Sequence, residues 1–492
     1  MNENVIFSKL SPGEKPLQAI APQPEVPVSS PPPKSSLPPA SPQPPPPAQV
    51  AAPSLPKPQP SSPIKKIAKI IAMLAILLIA IFLIIKFVFP LFSQKDKDKK
   101  VTLVYWGLFE NQQVMNSLIN DFHRENPNIT ITYVQKDIKQ YRQSLMTQIQ
   151  NGSGPDVFRF HNSWVGMMKS SLSPLTSEVI TPEDFKNNYF NVIQQDLTRN
   201  GALYGIPLGL DILSLYVNTD LLEAGGDNVP QTWDEFIRVA KDRLVKDSEG
   251  KIRTAGAAMG TFDNVSHAPD IIALLMAQNG TNFSNFSSTI ENASQALEFY
   301  TAFAKDEGSV WDDTLDSSTV AFAKGNLAMY FGYSWDIFII KNLNPDLKFS
   351  VNPVPNLPGR KLAMASYWVE GVSAKSKNQQ AAMKFMNYLT KKETLQKFYA
   401  EASKTRLFGE AYPRKDLAQS LLSQQYLASI VEQADYATSS YFMSDTYDDG
   451  INSQMNIYLG DAVRSIHNTT SPQTAVEALA QGVNQVLSKY GR

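Results

Sequence analysis

Six tryptophans, at positions 106, 164, 233, 311, 335 and 368, are the residues of this chain best suited to gripping a ligand. An indole offers a flat apolar face that stacks on C–H groups, while neighbouring carboxylates, amides and arginines supply paired hydrogen bonds to hydroxyls. Trp106 closes a β-rich run over residues 101–106 and is followed by Gly107 and Glu110; Asn162 stands two residues before Trp164. Trp335 lies in an aromatic run from Tyr330 to Asp336, and Trp368 sits between Tyr367 and the pair Glu370, Gly371. These four indoles each follow the end of a predicted strand or open a polar turn, the places where ligands of open α/β sheets bind. Trp106, Glu110, Asn162, Trp164, Trp335, Trp368 and Glu370 are therefore candidate binding residues. Trp233 falls in the first turn of a capped helix and is assigned to the core.

Catalytic signatures are missing by comparison. With no Cys there is no disulfide, thiolate metal site or thiol nucleophile. The four His, at 123, 161, 267 and 467, are scattered singly, which disfavours a His-based metal site or triad. No Gly-x-Ser-x-Gly, His-Glu-x-x-His or Walker loop occurs. Asp445, Asp448, Asp449 and Gly450 lack the alternation and closing Glu of a calcium loop, so they read as a solvated turn. A glycosidase needs two carboxylates roughly 5 to 9.5 Å apart, a separation sequence does not reveal, and a carbohydrate-active hydrolase is the enzyme reading to be weighed. No cofactor and no metal are expected.

Composition divides the chain that must position these residues. Of 34 prolines among 492 residues, 20 precede residue 64, so residues 1–63 read as a disordered Pro-rich tail. Residues 70–92 are almost wholly apolar; 23 residues make about 34 Å of helix, enough to cross a ~30 Å hydrocarbon core. A transmembrane anchor over 64–92 is expected, followed by a charged tether, 93–100. Lysines flank the span on both sides, so their count leaves the orientation open. Residues 1–100 hold 12 Lys and no Arg against 5 acidic residues, which leaves residues 101–492 with a net charge of −8. An acidic domain repels phosphate backbones, and no nucleic-acid partner is expected.

Within 101–492, the opening alternates strand, helix, strand, helix, strand, the pattern of a parallel sheet covered on both faces. Thr232 and Glu235 form a capping box, and Ser376 with Gln379 are expected to open a similar helix. No repeat of 20 to 50 residues is visible.

Four stretches, in order, carry a resemblance. They are Tyr105, Trp106 and Gly107; residues 152–158 (Gly-Ser-Gly-Pro-Asp-Val-Phe) with Asn162, Ser163 and Trp164; residues 204–207 with Asp211, Tyr216, Asn218 and 220–222; and residues 230–236 (Pro-Gln-Thr-Trp-Asp-Glu-Phe). The set resembles the family 1 extracellular solute-binding proteins, the carbohydrate-binding components of ABC importers that include maltose-binding protein, over nearly all of 101–492. The resemblance implies a two-lobed α/β, periplasmic-binding-protein-like fold with ligand in the cleft. It places lobe crossings near 211–216, 351–355 and 412, with lobe 1 over about 101–211 and 356–411 and lobe 2 over about 212–355 and 412–492. It further implies Asp211 as an acidic cleft residue, a sugar or oligosaccharide ligand, ABC permease partners, a monomer, and an extracellular C-terminal domain on a single-pass anchor in the cell membrane. Two departures stand out: the lipid-modified Cys usual in such proteins of monoderm bacteria is absent, so the span would replace it, and the Pro-rich tail is unusual. A tethered glycan sensor or adhesin would present the same cleft.

Overall fold

The computed structural model describes residues 63–83, 86, 100–305 and 308–490. Most of the expected tail and tether lies outside the described residues.

The opening strands form as their sequence demands. Val101–Gly107 runs parallel to Ile129–Gln135 and, on its other side, to Val157–His161. The helix Gln112–Glu125 between the first two buries Val114, Met115, Leu118, Ile119 and Phe122, one stripe at helical spacing. Its first turn is capped by Asn111, whose side chain accepts from the Val114 N–H at 3.0 Å. Asp156 ties this opening to a distant helix: one carboxylate oxygen accepts from Val104 N at 2.9 Å, the other from Ser376 Oγ at 2.5 Å. That engagement changes the expected helix start, because Ser376 is used in a turn and the helix Gln379–Thr390 begins at Asn378.

The first sheet is completed from far along the chain. Trp368–Ser373 inserts antiparallel beside Val157–His161, and short strands Leu172–Ser173 and Ile206–Pro207 pair with it. The parallel pattern thus holds for the opening and not for the whole sheet. A second sheet has the order Phe349–Asn352, Ser214–Asn218, Leu327–Gly332, Ile252–Ala257, Val245–Lys246. Trp233 packs on its helical cover, 1% exposed, within the capping box of Thr232 and Glu235.

The chain passes between the sheets in short segments. Residues 208–213 link Pro207 in the first sheet to Ser214 in the second. The return does not occur at 351–355. Val354 N donates to Gln433 Oε1 at 3.0 Å, and Gln278 Nε2 donates to the carbonyls of Pro355 and Leu362 at 3.0 Å each, so this stretch stays with the second sheet. The return lies instead at 363–367, where Ala365 bridges Ile212, Leu213 N donates to Met364 O and Ser366 N to Asp211 O. Near the third expected crossing, Leu210 N donates to Ala411 O, and beyond it Ala437–Thr438 pairs with Ala363–Met364.

Separately, Pro63–Leu83 is a 21-residue helix whose apolar side chains from Ile71 on are largely exposed, Met73 at 73%. Among the described residues no helix is long and apolar enough to cross a membrane. The side chains described there, 71–83, make only about 20 Å of helix, and most of 84–92 lies outside the described residues.

Gln278, fully buried, also accepts from Trp233 Nε1 at 2.7 Å. Gln278→Leu strands two buried partners, Trp233 Nε1 and Pro355 O, at ~1–3 kcal/mol each, and a third, Leu362 O, that is part-buried. We expect urea unfolding to show a loss of about 3 kcal/mol or more; a loss under about 1 kcal/mol contradicts this role.

Candidate functional site

A cavity of about 580 Å³ opens between the two sheets. Its first wall comes from the loop after the first strand (Phe109, Glu110), from Arg159 and His161 on the third strand, and from Trp368 at the start of the inserted strand. The second wall is built by His267, Trp335, Asp336 and Phe338, while Asp211, Ser366 and Tyr367 form the floor on the crossing segments. Strand and helix termini dominate, because only there does a sheet covered on both faces leave side chains uncovered.

Two indoles supply apolar faces. Trp335 stacks on Tyr333 with ring centroids 4.4 Å apart and 16° between planes, so one face is covered and the half-buried ring borders the cavity. Trp368 is held edge-on by three rings, Phe109 at 5.2 Å, His161 at 5.1 Å and Trp164 at 5.4 Å.

The first wall carries buried charge. Arg159 donates to Glu370 Oε1 at 2.7 Å through Nε and to Glu110 Oε2 through Nη1, with all three side chains at most 5% exposed. Burial pushes both carboxyl groups up from their ordinary range, with Arg159 pulling them down. Burial pulls the guanidinium down, but the two carboxylates outweigh it and hold Arg159 above its usual value. One cation between two acids leaves an acceptor-rich edge at the cleft, where Glu110 can meet ligand hydroxyls.

Asp211 is a joint as well as a lining residue. Its Oδ2 accepts from the N–H and the hydroxyl of Ser334 at 3.0 and 2.5 Å, at the start of the helix Ser334–Leu343, and its Oδ1 accepts from Ile212 N at 2.8 Å. Burial raises its pKa to about 8 against the pull of Ser334, with Glu410 adding to the rise. Trp335 is the next residue of that helix, so Asp211 fixes a platform to a crossing segment.

His267 carries no signal in the sequence, because its partners are remote. Its Nε2 lies 2.7 Å from Asp336 Oδ2, its Nδ1 2.8 Å from Ser444 Oγ and 3.5 Å from Asp445 Oδ2. Burial pulls the imidazole down, but Asp336 and then Asp445 and Asp270 outweigh it and hold its pKa at about 9. The pairing with Asp336 thus favours the imidazolium at neutral pH. The same distance hides Phe109 and Tyr447, half-exposed rings in the left-handed region (φ 56° and 47°), which line the cleft from loops with no periodic signal.

Of the sequence candidates, Glu110, Asp211, Trp335 and Trp368 meet in this cavity. Trp164, 0% exposed, and Glu370, 0% exposed, stand behind its wall and support Trp368 and Arg159. Trp106 is 6% exposed and packs against Tyr141, with the Lys136 ammonium 3.9 Å over its ring, so a position at a strand end did not free it for the cleft. Asn162 is turned away: its Nδ2 donates to Asp196 at 2.9 Å, beside a second cavity. Asp448 is likewise not solvated; its carboxylate accepts from the N–H groups of Asn452 and Ser453 and starts the helix Ile451–His467. Among the described residues no group of acidic or His side chains is arranged to hold a metal.

Relatives of known kind share this architecture. A family model described as bacterial extracellular solute-binding protein matches residues 117–420. The chain is 26% identical over 330 residues to a multiple sugar-binding protein of Streptococcus mutans, across 62% of this chain and 75% of that protein. It is 22% identical over 395 residues to the maltodextrin-binding protein MdxE of Bacillus subtilis, across 77% and 89%. A cyclo/maltodextrin-binding protein complexed with maltotetraose superposes with a TM-score of 0.65 at 18% identity, covering 78% of this chain and 97% of that one. A Thermotoga lettingae ABC transporter solute binding protein bound with alpha-D-tagatose gives 0.61 at 22% identity, covering 79% and 100%. The likeness shows the two-lobed α/β fold, and the family is one of binding proteins rather than enzymes. With the family model spanning more than half of its length, the chain belongs to the bacterial extracellular solute-binding proteins.

Proposed function

We propose that this chain is the membrane-anchored, extracellular substrate-binding component of an ABC importer, holding a sugar or oligosaccharide between its lobes. The observation that carries the reading is that two part-exposed indoles on different sheets' elements, Trp335 and Trp368, line one cavity together with Glu110, Arg159 and Asp211. Indole faces suit sugar C–H surfaces, and the carboxylates and guanidinium suit hydroxyls. Relatives named for sugars and maltodextrins support the same class. Ligand that touches both walls binds the closed arrangement better and shifts the population toward it by bending the short crossing segments. The closed form is then what a permease recognises. Binding at ~1 μM requires about −8 kcal/mol, within reach of two aromatic stacks and several paired hydrogen bonds.

The anchor is residues 70–92. An exposed run of Ile, Leu, Met and Phe along the helix Pro63–Leu83 is unfavourable in water and favourable in a bilayer. The tail would lie inside, with the acidic domain outside and acting as a monomer.

Three outcomes are expected. In calorimetric titration against mono- and oligosaccharides, Trp335→Ala and Trp368→Ala each weaken binding at least ten-fold, about 1.4 kcal/mol; unchanged affinity in both removes the platform role. Deleting residues 1–99 moves the chain from the membrane fraction to the soluble one, and continued sedimentation with membranes argues against the anchor. The third outcome follows from His267. Its folded pKa of about 9 lies above the ordinary histidine value, so its stabilisation is complete below pH ~6.5 and is lost as pH rises through 9. Asp211, raised to about 8, lowers stability in the same direction between pH ~4 and 8. The melting temperature therefore falls from pH 6.5 to 9, and His267→Gln flattens that fall; an equally steep slope in the variant contradicts the assignment.

A further inference from the structure

A second cavity, about 1050 Å³, lies beside the crossing segments and is lined by residues of both lobes. Its charge is opposite in character to the rest of the domain. Arg199, Arg360 and Lys361 line it, and the one acidic lining residue, Asp196, already accepts from Asn162 Nδ2 at 2.9 Å, from the Tyr367 hydroxyl at 2.7 Å and from the Ser439 hydroxyl. None of the three cations has an ion pair among the described residues, although residues 101–492 together carry a net charge of −8. Unpaired cations grouped in a concave, part-enclosed surface focus positive potential.

The guanidinium groups are held by backbone and keep donors to spare. Arg360 Nη1 donates to Gln278 O at 3.1 Å, and Arg199 Nη1 donates to the carbonyls of Gln195 and Thr198 at 2.5 and 2.9 Å. Each of these contacts uses a single nitrogen of a five-donor fork. Gly280 lies beside Arg360: a Cβ at Gly280 would be 2.8 Å from Arg360 Nη1 and would displace the guanidinium, and the backbone there has φ +88°, which favours glycine. Independently, Thr281 lines the same cavity with its Oγ1 buried and without a hydrogen-bond partner in a residue only 8% exposed. A buried hydroxyl without a partner costs free energy unless something supplies one.

We propose that this cavity is a second binding site, for a small solute carrying two or more phosphate or carboxylate groups, with Arg199 and Arg360 as paired donors, Lys361 as a flanking charge and Thr281 as a hydroxyl donor. Charge-assisted contacts from planar guanidinium groups are the strong and oriented ones for such anions. The site is distinct from the cleft, whose lining is rich in carboxylates.

The test uses the full chain in detergent, titrated calorimetrically with inorganic pyrophosphate and with citrate against sodium chloride at matched ionic strength. At least one of the two anions binds beyond the salt control, and the stronger of them identifies the charged group. Arg199→Gln and Arg360→Gln each weaken that binding at least five-fold. Lys361→Gln, an exposed position that leaves folding intact, weakens it at least two-fold. Arg406→Gln, a cation lining the cleft, leaves it unchanged. No heat beyond the salt control overturns the proposal, as does binding that survives the first three substitutions or is lost in Arg406→Gln.

Discussion

Two sheets share one cavity because three stretches of backbone are hydrogen-bonded to one another where they pass between them. Residues 211–213 lie against 364–366, and Ala365 N in turn donates to Thr438 O at 2.8 Å. These bonds use main-chain groups that would otherwise be buried without partners, so the crossing cannot be rearranged piecemeal. Side chains on the same stretches line the cleft: Asp211, Ser366 and Tyr367. Geometry at the joint is therefore geometry at the site.

The cleft is assembled on this joint by two kinds of contact that differ in physical character. On the first lobe, register places Glu370 directly opposite Arg159 across antiparallel strands, and the first strand's loop adds Glu110. A buried ion cluster of this kind is a poor source of stability but holds its members in one arrangement, since removal of any member leaves a charge uncompensated. On the second lobe, the equivalent work is done by the hydrogen bonds of Asp336, which accepts from Tyr333 N and Tyr330 OH at 3.0 Å each and pairs with His267. Polar networks thus set both walls while aromatic rings supply the contact surface.

Local structure leaves its mark in the sequence, whereas contacts between remote segments do not. The opening strands and helices follow from periodicity, and the capping box at Thr232 follows from a three-residue spacing that nothing distant disturbs. The inserted strand Trp368–Ser373 lies some 200 residues from its partner, and nothing in its own composition names that partner. Trp106 and Trp164 show the limit for the site. Both stand at strand ends as a ligand platform would, but whether such an indole faces a cleft or a covering helix depends on elements remote in sequence. His267 shows the converse, a lone histidine made important by Asp336 and Ser444, which are 69 and 177 positions away.

The unequal burial of the six indoles has an optical consequence. Trp106, Trp164, Trp233 and Trp311 are at most 6% exposed, whereas Trp335 and Trp368 are only partly covered. Four of the chromophores are therefore shielded from solvent, and a change of solvent contact in the cavity falls first on the remaining pair. One of that pair already overlaps a tyrosine ring at 4.4 Å and the other is ringed by aromatic edges. The molecule thus carries its own fluorescent gauge in the lining of the cavity between its sheets.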